Sequence, residues 1–250
     1  MSSDVATKLR EDTKSNLAAK LREGTKKAHT MAENTGFIAC FLKGTVEPTS
    51  YRKLVANLYF VYTAMEEEMT RHRDHPVLGK LYFPELNRKA SLEEDLTYYF
   101  GPNWKDQVAP SDAARDYVAR IREVSDTAPE LLVAHLYTRY LGDLSGGQIL
   151  KKIAQNAMNL AEGSGTHFYE FEQIPDEKEF KGMYRQAMDS LPLDEAACDR
   201  IVEEANDAFG KNMTMFKELE GNLIKAIGIQ LFNLLTRKRN RGATELATAD

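Results

Sequence analysis

Cysteine is nearly absent: Cys40 and Cys198 are the only two in 250 residues, far apart and flanked by helical sequence. That excludes a disulfide framework and a CxxC metal knuckle. It suits a reducing compartment, with both thiols expected as small apolar core residues. Long hydrophobic runs are missing too. No stretch approaches the ~20 apolar residues that cross a bilayer, and the opening MSSDVATKLREDTKSN has no apolar core of a secretory signal. The expectation is a soluble intracellular chain that stays off the membrane. There is no positive surplus either: the net charge is −5 and the pI about 5.7, which argues against nucleic acid as a partner. The single basic run, Arg237-Lys238-Arg239-Asn240-Arg241, reads as part of a solvated, disordered tail. HExxH, P-loop, GxSxG and GxGxxG patterns are all lacking, so zincin, nucleotide, serine-hydrolase and dinucleotide chemistry have no foothold.

What is present is helical periodicity. Tyr51, Leu54, Val55, Leu58, Tyr62, Met65 and Met69 recur at spacings of three and four, with Ser50 ahead of them as an N-cap candidate. Similar patterns run over 92–100, 113–124, 130–160, 179–191 and 194–236. Gly44 with Pro48, Pro76, Gly101-Pro102, Pro110, Pro129 and Gly163 to Gly165 separate them. The reading is all-α, a single compact domain of about eight helices over 17–236, with an extension over 1–16 and a polar tail over 237–250. Lys8-Leu9-Arg10-Glu11-Asp12-Thr13-Lys14 nearly repeats as Lys20-Leu21-Arg22-Glu23-Gly24-Thr25-Lys26. Two copies make no solenoid, and only the second runs on into a histidine.

A helical protein rich in Glu and His invites a di-iron site, which needs Glu-x-x-His on a helix. The residues three before the five histidines are Lys26, Met69, His72, Leu132 and Ser164, so that reading fails. His72 and His75 run into Pro76 and read as a surface pair. More informative is 135–148, HLYTRYLGDLSGGQ, where Gly142, Gly146 and Gly147 each weaken a helix by about 1 kcal/mol relative to Ala. Gly142 and Gly146 are four apart and strip one helix face of side chains. Such a face either packs flat on another helix or meets a flat ligand, and spacing leaves both open. Arg139 and Asp143, also four apart, make at least a surface ion pair. His29 is followed at i+4 by Glu33: a surface pair, or a metal-ligating histidine held by a carboxylate. A lone histidine suits haem, which supplies four nitrogen ligands itself.

The segments LREGTKKAHTMAEN, YFPELNRKASLEEDL, YFGPNW, PELLVAHLYTRYLGDLSGGQ and EEANDAFGKN, in this order from about Leu17 to Phe232, resemble the haem oxygenase family. The absence of an apolar C-terminal stretch makes the chain similar to the soluble cyanobacterial and plastid branch. The resemblance implies haem held between a proximal helix bearing His29, the iron ligand oriented by Glu33, and a glycine-kinked distal helix. Gly142, Ser145 and Gly146 would face the porphyrin. Tyr62, Arg139 and Asp143 would form the distal network, with Asp143 feeding protons through ordered water. Arg22, Lys26, Tyr137, Lys181 and Arg185 would hold the propionates. Ile38, Phe41, Phe209 and Phe216, plain core by spacing, would be apolar walls. The implied reaction opens haem at the α-meso carbon to biliverdin, carbon monoxide and ferrous iron. Because the chain shows no flavin or NAD site, electrons would come from ferredoxin or, second, a flavin-containing reductase. The implied setting is a monomer in the cytoplasm, or in the stroma of a plastid.

Overall fold

The computed structural model describes residues 15–161 and 163–246, with side chains described as far as Gly221. Helix α1 spans Leu17–Gly24, α2 Lys26–Glu33, α3 Gly36–Leu42, α4 Pro48–Arg71 and α5 Lys89–Phe100. Then come α6 (Asp112–Thr127), α7 (Leu132–Leu136), a π-helical turn (Tyr137–Leu141), α8 (Gly142–Met158), α9 (Glu177–Asp189) and α10 (Glu195–Leu246). Among the described residues there is no strand. Among the described residues these are ten α-helical segments, of which α1 and α2 meet at Thr25 and α7 and α8 are joined through the π turn, against the eight or so expected.

The helix ends follow from local chemistry, with one change from the sequence reading. α4 begins two residues before Ser50, because Pro48 takes the first helical position, where its missing N–H costs nothing. Glu47 is the cap and accepts from Thr49 N at 2.8 Å and Ser50 N at 2.6 Å. Ser50 lies inside the helix, buried, and donates to the Leu219 carbonyl at 3.2 Å. Ser111 caps α6 and Asp176 caps α9, each through the amide three residues on.

α10 is the spine: it packs against α1, α2, α3, α4, α6 and α7, while α4 also packs against α5 and α6. The apolar stripe of α4 is buried as its spacing implies, with Tyr51, Val61, Tyr62 and Met65 at most 1% exposed. Cys198 is buried, but Cys40 is only partly so, because α3 is a short surface helix with one covered face. The α10 backbone continues helically past 236, the expected domain edge. Residues 1–14, with the first copy of the N-terminal repeat, and the side chains of the 237–250 tail lie outside the described residues. Among the described residues no helix is long and apolar enough to cross a membrane.

Candidate functional site: a cavity between two helices

A cavity of about 1140 Å³ opens between α2 and α8, with α10 at its side and α1 and α9 at its mouth. His29 is the one histidine on its wall. The other four are engaged elsewhere: His72 Nε2 lies 2.9 Å from Ser125 Oγ, and His75 Nδ1 accepts from Val77 N. His135 Nε2 lies 3.1 Å from Glu204, and His167 Nδ1 lies 3.2 Å from Asp95. The His29 ring meets Phe209 edge-on, and its Nδ1 stands 3.7 Å from Glu33 Oε1. Both side chains are more than half exposed, so the pair by itself is a weak interaction.

Opposite lies the glycine-rich helix. A Cβ placed on Gly142 or Gly146 would meet nothing within 4 Å, and both glycines line the cavity. Gly147 differs: its Cβ would lie 3.4 Å from the Tyr169 ring. The bare face of Gly142 and Gly146 therefore looks into open space, and only Gly147 is a packing glycine. The irregularity expected of this helix lies just ahead of the glycines, in the π turn Tyr137–Leu141. Such a turn takes up one extra residue and often marks a functional site. Ile149 and Leu42, 61% and 45% exposed, also line the cavity, an apolar lip that a flat ligand would cover.

Behind the bare face sits a buried polar network. Arg139 Nε donates to the Tyr62 hydroxyl at 3.0 Å, and that hydroxyl donates to Asp143 Oδ2. Arg139 Nη2 reaches Asp143 Oδ1 at 3.4 Å, and Nη1 donates to Asn212 Oδ1 at 2.7 Å. Arg139 and Asp143 are each about nine-tenths buried, so this is no surface ion pair. Burial pushes the Asp143 carboxyl above its ordinary range, and the Arg139 charge and the Tyr62 hydrogen bond oppose that without cancelling it. Burial works against the Arg139 guanidinium, but Tyr62 and Asp143 outweigh it and hold the charge more firmly than usual. The Tyr62 hydroxyl is pushed far above its ordinary range, chiefly by burial, and stays a donor. Asp143 is thus a buried carboxyl of raised proton affinity on the wall of an open cavity.

Most of the residues named from sequence meet here. Arg22, Lys26, Glu33, Tyr137, Ser145 and Arg185 line the cavity with His29, Gly142 and Gly146. So do Ile38, Phe41, Phe209 and Phe216. Tyr62 is not on the lining; its hydroxyl donates to Asp143 Oδ2, and Asp143 and Arg139 do line the cavity. Lys181 is not on the lining; its ammonium donates to the Leu144 carbonyl at 3.0 Å and ties α9 to α8. Asn212 was missed as a site residue: it carries no charge, and its partner Arg139 is 73 positions away. Thr138, Leu54, Leu58 and Asp189 also line the cavity without a sequence signal of their own.

One histidine, a facing helix bare at Gly142 and Gly146, apolar sides and cations at the mouth are the parts of a pocket for a flat, anionic iron macrocycle. The fold and site define an all-helical haem-binding protein. The heme oxygenase family model matches residues 15–218. The chain is 69% identical to heme oxygenase 1 of Nostoc sp. over 94% of its length and 99% of that protein. It is likewise 69% identical to heme oxygenase 1 of Synechocystis sp., over 94% of this chain and 97% of that one. The crystal structure of the Synechocystis heme oxygenase-1 in complex with heme superposes with a TM-score of 0.86 at 70% identity, covering 88% of this chain and 99% of that one. The chain belongs to the haem oxygenase family, enzymes that open haem oxidatively to biliverdin.

Proposed function

We propose that this cavity binds haem as substrate through His29 and that the Asp143 network directs its oxidative opening at the α-meso carbon. The observation that carries the reading is the open face of Gly142 and Gly146 across the cavity from His29. The missing Cβ atoms form a cradle that a porphyrin plane would fill. Glu33, beside Nδ1, would orient the imidazole once haem covers the pair, with Nε2 then holding the iron. Haem supplies the redox-active iron when bound, and the chain's own residues govern access and protons. The bare helix face would let the ring lie close against the α8 backbone. Asp143 relays protons, and Tyr62 and Arg139 fix its carboxyl in place by donating to its two oxygens. Transfer through ordered water suits a nine-tenths buried carboxyl on the cavity wall, since bridged contacts are nearly as favourable as direct ones. Arg22, Lys26 and Arg185 at the mouth, with Tyr137, meet the propionates.

The same cations at the mouth favour an acidic electron donor, and ferredoxin is the donor proposed, in a small, salt-sensitive encounter. A flavin-containing reductase is the second candidate. The protein is taken to work as a monomer in the cytoplasm or, in a eukaryote, the plastid stroma. The test is an aerobic visible-spectrum time course on protein reconstituted with hemin, with catalase and reduced ferredoxin. A Soret band that decays into a broad biliverdin band in the red supports the proposal. A Soret band that persists under reductant would make the protein a haem carrier and overturn it.

A further inference from the structure

The mouth of the cavity is framed by α1 and α9, which pack directly against each other. Asn16, at the N-cap position of α1, makes no side-chain cap bond. The cap comes from the other helix: Asp189 Oδ1, at the last residue of α9, accepts the Ala18 N–H at 2.9 Å. Ser15 Oγ adds longer bonds to the carbonyls of Met188 and Asp189, at 3.4 and 3.3 Å. The carboxylate also meets the positive end of the α1 dipole. One side chain thus satisfies the start of one helix from the end of another.

Register connects this pin to the cations at the mouth. Arg185 precedes Asp189 by four residues on α9, and Arg22 follows Ala18 by four on α1. Each cation therefore stands about one turn, roughly 5.4 Å along its helix, from the pin. Ala18, Arg22, Lys26, Arg185 and Asp189 all line the cavity, as do the acids Glu23, Glu33 and Asp143. The Asp189 carboxylate gives an anionic propionate nothing to bind, so its work lies in holding α1.

Resting on the reading of the cavity as a haem site, we propose that Asp189 is a positioning residue for regiochemistry. By pinning α1 to α9 it sets the span between Arg22 and Arg185. That span fixes how far the macrocycle is turned within its own plane, and so which meso edge is presented for attack. Asp189 touches neither the iron nor the reacting carbon.

The test is proton NMR of the cyanide-ligated ferric haem complex of the full chain, whose shifted ring-methyl resonances report seating without turnover. Asp189→Ala should add a new set of methyl resonances and speed haem dissociation about fivefold, the loss expected for one helix cap. Asp189→Asn keeps an acceptor for Ala18 and should keep the wild-type pattern. Under turnover, wild type and Asp189→Asn should yield one biliverdin isomer and Asp189→Ala a mixture. Should Asp189→Ala not fold, Asp189→Glu lengthens the pin by one methylene and should shift the seating too. An unchanged methyl pattern with a single product isomer in the folded Ala or Glu variant overturns the proposal. Wild-type protein that takes up no haem would instead overturn the reading of the cavity, and this proposal with it.

Discussion

His29 and Phe209 meet edge to face, with ring centroids 5.7 Å apart and planes inclined by 73°. The contact holds the α2 imidazole against α10, while Glu33 stands beside Nδ1. His29→Ala should abolish the histidine-type Soret spectrum, and added imidazole should restore it in part. Glu33→Ala keeps the ligand but loses its orienting partner, and should weaken haem binding by about tenfold. Titration of hemin against each variant checks both.

Asp143→Ala should leave haem binding near wild type and slow biliverdin formation by about a hundredfold, the scale of a lost positioned acid. Tyr62→Phe removes only the hydroxyl that donates to Asp143. It should retain more activity than Asp143→Ala, because Arg139 still reaches the other carboxylate oxygen. Single-turnover absorbance traces separate the two, and a wild-type rate in Asp143→Ala would refute the assignment.

Gly146→Ala and Gly147→Ala should differ in a way that composition cannot explain. The Gly146 Cβ meets open space, so the haem-free protein should gain up to about 1 kcal/mol of helix stability. Its haem affinity should fall, since the methyl occupies the cradle. The Gly147 Cβ presses on Tyr169 at 3.4 Å, and that substitution should gain little or nothing. Thermal melts with and without hemin read both effects.

Acid stability should depend on Glu204, which is buried between Arg120 and His135. Burial alone would raise its carboxyl, but hydrogen bonds from His135 and Arg120 hold it down to about 2. A depressed carboxylate stabilises the fold fully above its unfolded value near 4.5, and that contribution is lost as the pH falls toward 2. Glu204→Gln should flatten this loss in denaturant titrations between pH 5 and pH 2. An unchanged pH slope in the variant would count against the pairing.

Local signals carried much of the fold. The stripe on α4 and the punctuation by Gly and Pro placed the helices because burial of one face recurs every three to four residues. Ser50 has the chemistry of a cap, yet Glu47 is the cap of α4. A proline at the first helical position and an acidic residue ahead of it were the better signal. The π turn had no signature, for Tyr137–Leu141 reads as ordinary helix. Arg139 and Asp143 looked the same in sequence whether exposed or buried. Their burial depends on Tyr62 of α4 and Asn212 of α10, both more than 60 positions away.

The sequence by itself determined the helical class, and its long matching segments determined the family, because periodicity and motif are properties of neighbouring residues. Only the tertiary structure decided that Gly142 and Gly146 face a cavity while Gly147 faces a ring, and that Asp143 is a buried carboxyl and not a surface charge. It also decided that Lys181 holds a helix carbonyl and that Asp189 caps a helix far from it in the chain. The reason is physical: what a side chain does depends on the solvent and partners around it, and those are supplied by elements that meet only when the chain is folded.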